Sequence, residues 1–202
     1  MRELARGTLH GVFLRPGATL RAWRDADPPA RWTLTRITLP FLLASVVLAG
    51  IGHDLSPTDF PPQTRPDPLA FGIYSALTQL VGVLALAAGA HYLCDLFQGR
   101  SYFERAIAAV TVALVPAWTG NVVAALPWPY GAYGALLLIG YSLVLLYAAF
   151  AIVLGVRKGN RLGHFAAVLA AAALMTFAFG WQAVSLIPGA APEVRLGTTW
   201  LI

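Results

Sequence analysis

The stretch that decides the fold is residues 103–156, which read FERAIAAVTVALVPAWTGNVVAALPWPYGAYGALLLIGYSLVLLYAAFAIVLGV. Its charged side chains, Glu104 and Arg105, stand at its beginning, and Pro127 and Pro129 divide it into two apolar runs. Each run exceeds the about 20 residues that a helix needs to cross a bilayer. Backbone groups in lipid must bond within the protein, and neither run alternates apolar with polar residues. We therefore predict two antiparallel transmembrane helices.

The composition extends this prediction to the whole chain. Of the 202 residues, 58% are hydrophobic and 11% are charged, whereas soluble proteins carry about 25% charged residues. The chain is therefore expected to be an integral membrane protein. The same composition excludes an intrinsically disordered chain and, despite the net charge of +5, a nucleic-acid-binding protein. A disulfide scaffold is excluded because Cys94 is the single cysteine.

Three further apolar stretches are long enough to span a membrane, so the sequence predicts an all-α, polytopic bundle of five transmembrane helices. The predicted spans are about 35–52, 69–97, 103–126, 130–156 and 165–187. A basic segment, residues 1–34, precedes this transmembrane domain of residues 35–187, and a short external tail, residues 188–202, follows it. Stripes of small residues such as Gly82 and Gly89 predict close helix packing, either within one chain or between two chains.

The distribution of positive charge predicts the orientation. Arg and Lys residues of membrane proteins concentrate in cytoplasmic segments. Of the 14 Lys and Arg residues, only Arg65 and Arg195 fall on one predicted side, and the others fall on the opposite side. We therefore expect a cytoplasmic N-terminus and an external C-terminus.

The N-terminal segment mixes Arg with apolar side chains, which is typical of an interfacial amphipathic segment, here broken into two arms at Pro16-Gly17. We hypothesise that the arm inserts Phe13, Leu14, Leu20 and Trp23 into the inner leaflet while its Arg residues hold anionic headgroups. A solvated basic tail that only sets the topology is the alternative. The candidate lipid-interface residues are Arg15, Arg21, Trp23, Arg24 and Arg31.

Polar residues inside predicted spans are functional candidates, because they are costly to bury in lipid. His91 and Asp95 are four residues apart and would share a helix face, with Cys94 beside them. This group offers ligands for a metal or a proton site, but it is short of the four ligands of a closed structural site. We predict instead that Asp95 pairs with Arg100 or Arg105, and we expect no metal and no cofactor.

Two amides lie deeper in the predicted spans, Gln79 in the second and Asn121 in the third. Such amides usually hydrogen-bond between helices. Together with the backbone carbonyl that Pro116 leaves free, they would line a small polar cavity. A small channel or transporter with a polar path near Gln79, Asn121, His91 and Asp95 is therefore the alternative function.

The order of several short motifs resembles the Yip1 family, particularly its bacterial branch. These motifs are Arg15-Pro16 to Trp23 before the first span, Leu39-Pro40 at its head, Asp95 to Phe103 in the inner loop, Ala109 to Pro116, and Tyr141-Ser142 to Tyr147. The sequence departs from the family pattern at Val112, where a Tyr is common, and at Ala149-Phe150-Ala151, where a Gly-Leu-Pro is usual.

The resemblance implies a multi-pass protein of the bacterial inner membrane. No phosphate-binding loop, nucleophile elbow, C-x-x-C or H-E-x-x-H motif occurs in the sequence, and an intramembrane acid–base pair could come only from His91 and Asp95. We therefore expect no enzymatic activity. The expected function is membrane organisation or a trafficking-like role, through association with lipids, with anionic lipids as candidates, and through self-association or binding to other membrane proteins.

Overall fold

The computed structural model describes residues 2–55, 67–99 and 101–189, and the regular structure in these ranges is helical, which confirms the all-α prediction. The predicted tail from residue 190 onward and Arg100 lie outside the described residues. The helices are α1 Arg2–Leu14, α2 Pro16–Ala26, α3 Ala30–Thr33, α4 Leu39–Leu55, α5 Pro68–Tyr92, α6 Phe103–Val123, α7 Tyr130–Ile152 and α8 Arg161–Leu186.

Five helical stretches are long and apolar enough to cross a membrane, as predicted: Ala30–Gly52, Pro68–Tyr92, Phe103–Val123, Tyr130–Ile152 and Arg161–Leu186. Several predicted ends were wrong by a turn or more. The second helix ends at Tyr92 and not near residue 97, because the chain then folds into a 3₁₀ turn that Gln98 closes in the left-handed conformation. The fourth ends at Ile152 and not near residue 156, shortly before Gly155, whose φ is +66°.

The first span is continuous from α3 to α4 through a π-helical turn, Leu34–Thr38. Pro40 explains the wide turn. Proline has no backbone N–H and its ring displaces the carbonyl four residues earlier, here that of Arg36. The backbone adapts by forming the wider π turn just before the proline.

Helix α6 is the central element of the bundle. Its side chains are buried in a nearly unbroken run from Ala106 to Val115, a pattern too continuous for a helix with one lipid-facing side. Helices α4, α5 and α7 pack around it together with α1 and α2, while α8 packs mainly on α5. We call the end of the bundle where α5 ends and α6 and α8 begin the basic end.

Glycines allow the closest helix approaches. Gly82 and Gly89 of α5 face α8, where an added Cβ would lie 3.5 Å from Thr176 Oγ1 and 3.5 Å from Val168 Cγ1, respectively. This stripe therefore packs within the chain, which the sequence left open. In the α6–α7 hairpin, Gly131 lies directly on the backbone of the connecting turn, and an added Cβ would contact the carbonyl oxygens of Ala124, at 2.9 Å, and Leu126.

Replacing Gly131 with Ala is expected to destabilise the fold by about 2 kcal/mol or more, because backbone atoms of the turn must move to accommodate the methyl group. The measurement is the midpoint of thermal unfolding of the purified protein in detergent. Gly140→Ala is the matched control, since Gly140 lies in the same helix with nothing within 4 Å of its added Cβ. Equal midpoints for the two variants would show that the turn tolerates the added atom.

Candidate functional site

The N-terminal segment folds into two helices that pack against each other. The helical structure is interrupted at Arg15. Pro16 begins α2 at a position where its missing N–H costs no helical hydrogen bond. Gly11 of α1 lies against Thr19 of α2. Across the pair, the indole Nε1–H of Trp23 donates to the hydroxyl of Thr8 over 3.0 Å, and both residues are buried. We call α1 and α2 together the N-terminal helix pair.

The helix pair buries its apolar face against the bundle. Val12, Leu20 and Trp23 are each only 1% exposed, within the same core as α6 and α7. The expectation that Leu20 and Trp23 insert into the inner leaflet was therefore wrong, and Trp23 is not a lipid-interface residue. The physical reason is that α6 and α7 offer these side chains an apolar surface of protein, and the indole N–H finds its partner in Thr8.

Two contacts fix the position of the helix pair along the bundle. At the basic end, Arg105 Nε donates to Asp27 Oδ1 over 2.9 Å. Farther along, the Tyr141 hydroxyl donates to the backbone oxygen of Val12 over 2.7 Å, and the Tyr141 ring stacks on Phe13 at 6.1 Å. Tyr141 is about three turns, or about 16 Å, from the end of α7. The helix pair therefore stands alongside the bundle.

Ser142, next to Tyr141, joins α7 to the proline-containing part of α6. Pro116 interrupts the helical hydrogen-bond pattern. The following backbone N–H, that of Ala117, donates to the hydroxyl of Ser142 over 2.8 Å. Adjacent residues of one α7 motif thus contact two different elements: Tyr141 contacts the helix pair, and Ser142 contacts the backbone of α6 beside Pro116. Sequence reasoning found the motif but not these two contacts.

The outward side of the helix pair is basic and partly apolar. Arg15 and Arg21 are exposed and, within the described ranges, have no carboxylate within ion-pairing distance. The apolar side chains of Phe13 and Leu14 are 39% and 64% exposed beside them. Arg24 is exposed but forms an ion pair with Asp25 at 2.8 Å. Arg31 is exposed at the start of α3.

The two predicted intramembrane amides contact each other. Asn121 Nδ2 donates to Gln79 Oε1 over 3.1 Å, and Gln79 Nε2 donates to Ser75 Oγ over 3.1 Å. The expected hydrogen bond between helices is present, and it joins α5 to α6. Because Asn121 Nδ2 and both polar atoms of Gln79 are hydrogen-bonded within the protein, the two amides form a structural link between the helices.

The structure separates the group of His91, Cys94 and Asp95. His91 lies in the last turn of α5, whereas Asp95 begins the 3₁₀ turn after the helix, so the two do not share a helix face. Of the two predicted partners of Asp95, Arg105 pairs with Asp27 instead, and Arg100 lies outside the described residues. No set of three potential metal ligands occurs among the residues that the structure describes.

The predicted polar path is also interrupted. Gln79 and His91 lie on one helix but are just over three turns apart, about 18 Å along its axis. Between them, Val83, Ala87 and Ala90 are buried in the apolar core. The four residues Gln79, Asn121, His91 and Asp95 therefore do not meet in one site.

Comparison with protein families gives one finding. The sequence model of the Yip1 domain matches residues 10–181. The chain belongs to the Yip1 family. Together with the five apolar helices, membership makes it a multi-pass membrane protein. Comparison with curated proteins and with solved structures gives no match.

The region that matches the Yip1 domain begins within α1 and includes all of α2. The docked helix pair is therefore largely part of the domain. Tyr141 and Ser142 belong to a motif that resembles the family pattern. Their side chains form the hydrogen bonds that join α7 to the helix pair and to α6. The departure at Val112 falls on a buried position of α6, 1% exposed. In this Yip1 protein, the junction at Tyr141-Ser142 and the basic surface it positions form the candidate functional site.

Replacing Tyr141 with Phe is expected to loosen the helix pair without unfolding the bundle. The change removes the hydrogen bond to Val12 and keeps the ring that stacks on Phe13, so the docked state should lose about 1 kcal/mol. The measurement is amide hydrogen exchange, with faster exchange in α1 and α2 and unchanged exchange in α8. Tyr133→Phe, an exposed tyrosine of the same helix, is the control. Unchanged exchange in α1 would show that the hydroxyl does not hold the pair.

Cys94 is expected to resist alkylation in the folded protein. Its side chain is fully buried, and burial, followed by the negative charge of Asp95, raises the pKa of its thiol. A higher pKa leaves less thiolate at a given pH, so labelling by N-ethylmaleimide should be slow at neutral pH and should accelerate on unfolding. Leu96→Cys in a Cys94→Ser background is the exposed control. Equally rapid labelling of both sites in the folded protein would contradict the buried position.

Proposed function

We propose that this Yip1 protein is a non-enzymatic membrane protein that acts through association with membrane lipids and with other membrane proteins, including its own copies. The role would be one of membrane organisation or trafficking. The protein would lie in the bacterial inner membrane, with the basic end and the N-terminus facing the cytoplasm.

The observation that carries the proposal is the outward surface of the N-terminal helix pair. Arg15 and Arg21 keep their positive charges exposed there, next to Phe13 and Leu14. Each such cation near an anionic leaflet contributes about 1 kcal/mol of attraction. Exposed apolar side chains beside basic ones are the combination by which amphipathic helices bind the membrane interface.

The docked position of the helix pair supports a specific form of this idea. A free amphipathic arm would bury Leu20 and Trp23 in lipid, but here they are buried in protein. The helix pair therefore adds its basic surface to the side of the bundle, and the bundle itself supplies the membrane anchor. On this proposal the arginines select the lipids that surround the protein.

The orientation is supported by the charge distribution. The basic end carries exposed Arg157 and Lys158 in the connection between α7 and α8. Positive residues of this kind favour the cytoplasmic side. The opposite orientation would place nearly all of the positive charge of the chain outside.

The double substitution Arg15→Gln and Arg21→Gln is expected to reduce enrichment of anionic lipid around the protein severalfold, because two attractions of about 1 kcal/mol each are removed. The measurement is native mass spectrometry of protein extracted from vesicles that mix phosphatidylcholine with phosphatidylglycerol. Arg24→Gln is the matched control, since Arg24 already pairs with Asp25.

The control variant should retain more of the enrichment than the double variant does. If the double variant retains the full lipid preference of the natural sequence, the surface of the helix pair does not bind anionic lipid, and the proposed mechanism fails. If Arg24→Gln lowers the preference as much as the double variant, the effect follows from net charge and not from this surface.

A further inference from the structure

A second group of basic side chains lies away from the helix pair, where α7 ends and α8 begins. Arg157 and Lys158 are exposed in the connection between these helices, and Arg161 is the first residue of α8. Arg157 Nη1 donates to the neutral Gln98 Oε1 over 3.1 Å. Among the described residues, no carboxylate lies within ion-pairing distance of these three cations.

Arg161 differs from the other two because part of its charged group is buried. Its guanidinium carbon lies 5.5 Å from the centre of the Tyr147 ring of α7. Its Nε atom is inaccessible to solvent and has no hydrogen-bond partner in the described structure. A buried donor on a charged group is costly when it lacks an acceptor, and the cation–π contact with Tyr147 supplies none.

Arg161 lies at the contact between α7 and α8, which we call the α7–α8 junction. Helix α8 packs mainly on α5 and only lightly on α7. The contacts between α7 and α8 are aromatic, with the rings of Tyr147 and Phe165 perpendicular at 5.5 Å. Leu162, next to Arg161, is 69% exposed. Tyr147 lies between one and two turns from the end of α7, about 8 Å into an apolar span.

The backbone adds to the positive character of the α7–α8 junction. The side chain of Asn160, which precedes α8, does not cap the helix, and its Nδ2 donates to the Phe97 oxygen over 3.2 Å. The first N–H groups of α8 therefore keep their partial positive charge beside the three cations. This contribution is secondary to the charge of Arg161. Because its Nε is enclosed by protein, a phosphate would bind the terminal guanidinium nitrogens of this partly exposed side chain.

We propose that the α7–α8 junction at the basic end binds the phosphate of an anionic phospholipid, with Arg161 as the principal donor and Arg157 and Lys158 beside it. Basic sites between transmembrane helices are known to hold anionic lipid headgroups. A lipid suits the junction better than a soluble phosphate does, because Tyr147, Phe165 and the exposed Leu162 offer an apolar surface for acyl chains. The site requires a lipid surface at the basic end, but it does not depend on any role of the helix pair.

The test uses the purified full-length protein in detergent, titrated with phosphatidylglycerol and followed by native mass spectrometry and by the thermal unfolding midpoint. Arg161→Gln is expected to weaken lipid binding at least fivefold, since one cation near a phosphate contributes about 1 kcal/mol, a factor of about five. Arg161→Lys should retain part of the binding, because it keeps the charge and loses the planar donors.

Two further variants separate this site from the helix pair and from folding. Arg157→Gln combined with Lys158→Gln alters exposed side chains only and should also weaken lipid binding. This variant tests the site even if Arg161→Gln proves difficult to fold. Arg15→Gln combined with Arg21→Gln should remove only the contribution of the helix pair to the lipid-dependent rise in the unfolding midpoint, and adding Arg161→Gln to this variant should lower the remaining rise by as much as Arg161→Gln does alone. The proposed surface of the helix pair can therefore fail while this site stands, and the reverse also holds.

Three results would overturn the proposal. Binding and thermal stabilisation by phosphatidylglycerol in Arg161→Gln equal to those of the natural sequence would show that Arg161 holds no lipid. Phosphatidylcholine acting as strongly as phosphatidylglycerol would show that charge is not recognised. Inorganic phosphate stabilising the protein as strongly as the lipid does would assign the α7–α8 junction to a soluble phosphate.

Discussion

The structure depends on one constraint: polar groups inside a hydrocarbon layer must find their partners within the protein. Helix α6, which is surrounded by protein over most of its length, shows how this is met. Ser142 of α7 accepts the N–H of Ala117 after Pro116. The hydroxyls of Thr38 and Thr111 lie 2.8 Å apart and join the first span to α6. Each of these bonds also fixes the relative position of two helices.

The same constraint explains the adaptations around the two prolines. Pro40 is preceded by a π turn, so the backbone accommodates the missing bond by widening. Pro116 stays within a regular helix, and Ser142 of the neighbouring helix accepts the N–H of the next residue, Ala117. The backbone beside a proline in this bundle thus either changes its own helical form or bonds to another helix. The hydrogen bond from Ala117 to Ser142 fixes the position of Ser142 and of its neighbour Tyr141.

Tyr141 helps to dock the helix pair, and this docking determines which arginines of the pair remain exposed. The helix pair docks through Val12, Leu20 and Trp23, and its outward side carries Arg15 and Arg21. Arg24 and Arg105 are neutralised by Asp25 and Asp27. Arg157, Lys158 and Arg161 form a separate basic group about the start of α8. The positive charge of the chain therefore includes two paired arginines, Arg24 and Arg105, and two groups of cations that have no carboxylate partner among the described residues.

Hydropathy determined the fold class and the five spans, because long apolar runs have one stable form in lipid, whatever their neighbours. The amphipathic N-terminal pattern showed that one face of each arm is apolar, but it did not show whether lipid or protein covers that face. Only the tertiary structure decided this, since α6 and α7 leave a surface that fits Leu20 and Trp23. It also decided the partners of individual polar side chains. Asn121 meets Gln79 and Arg105 meets Asp27 because helix packing brings residues far apart in the chain together, which local spacing does not encode.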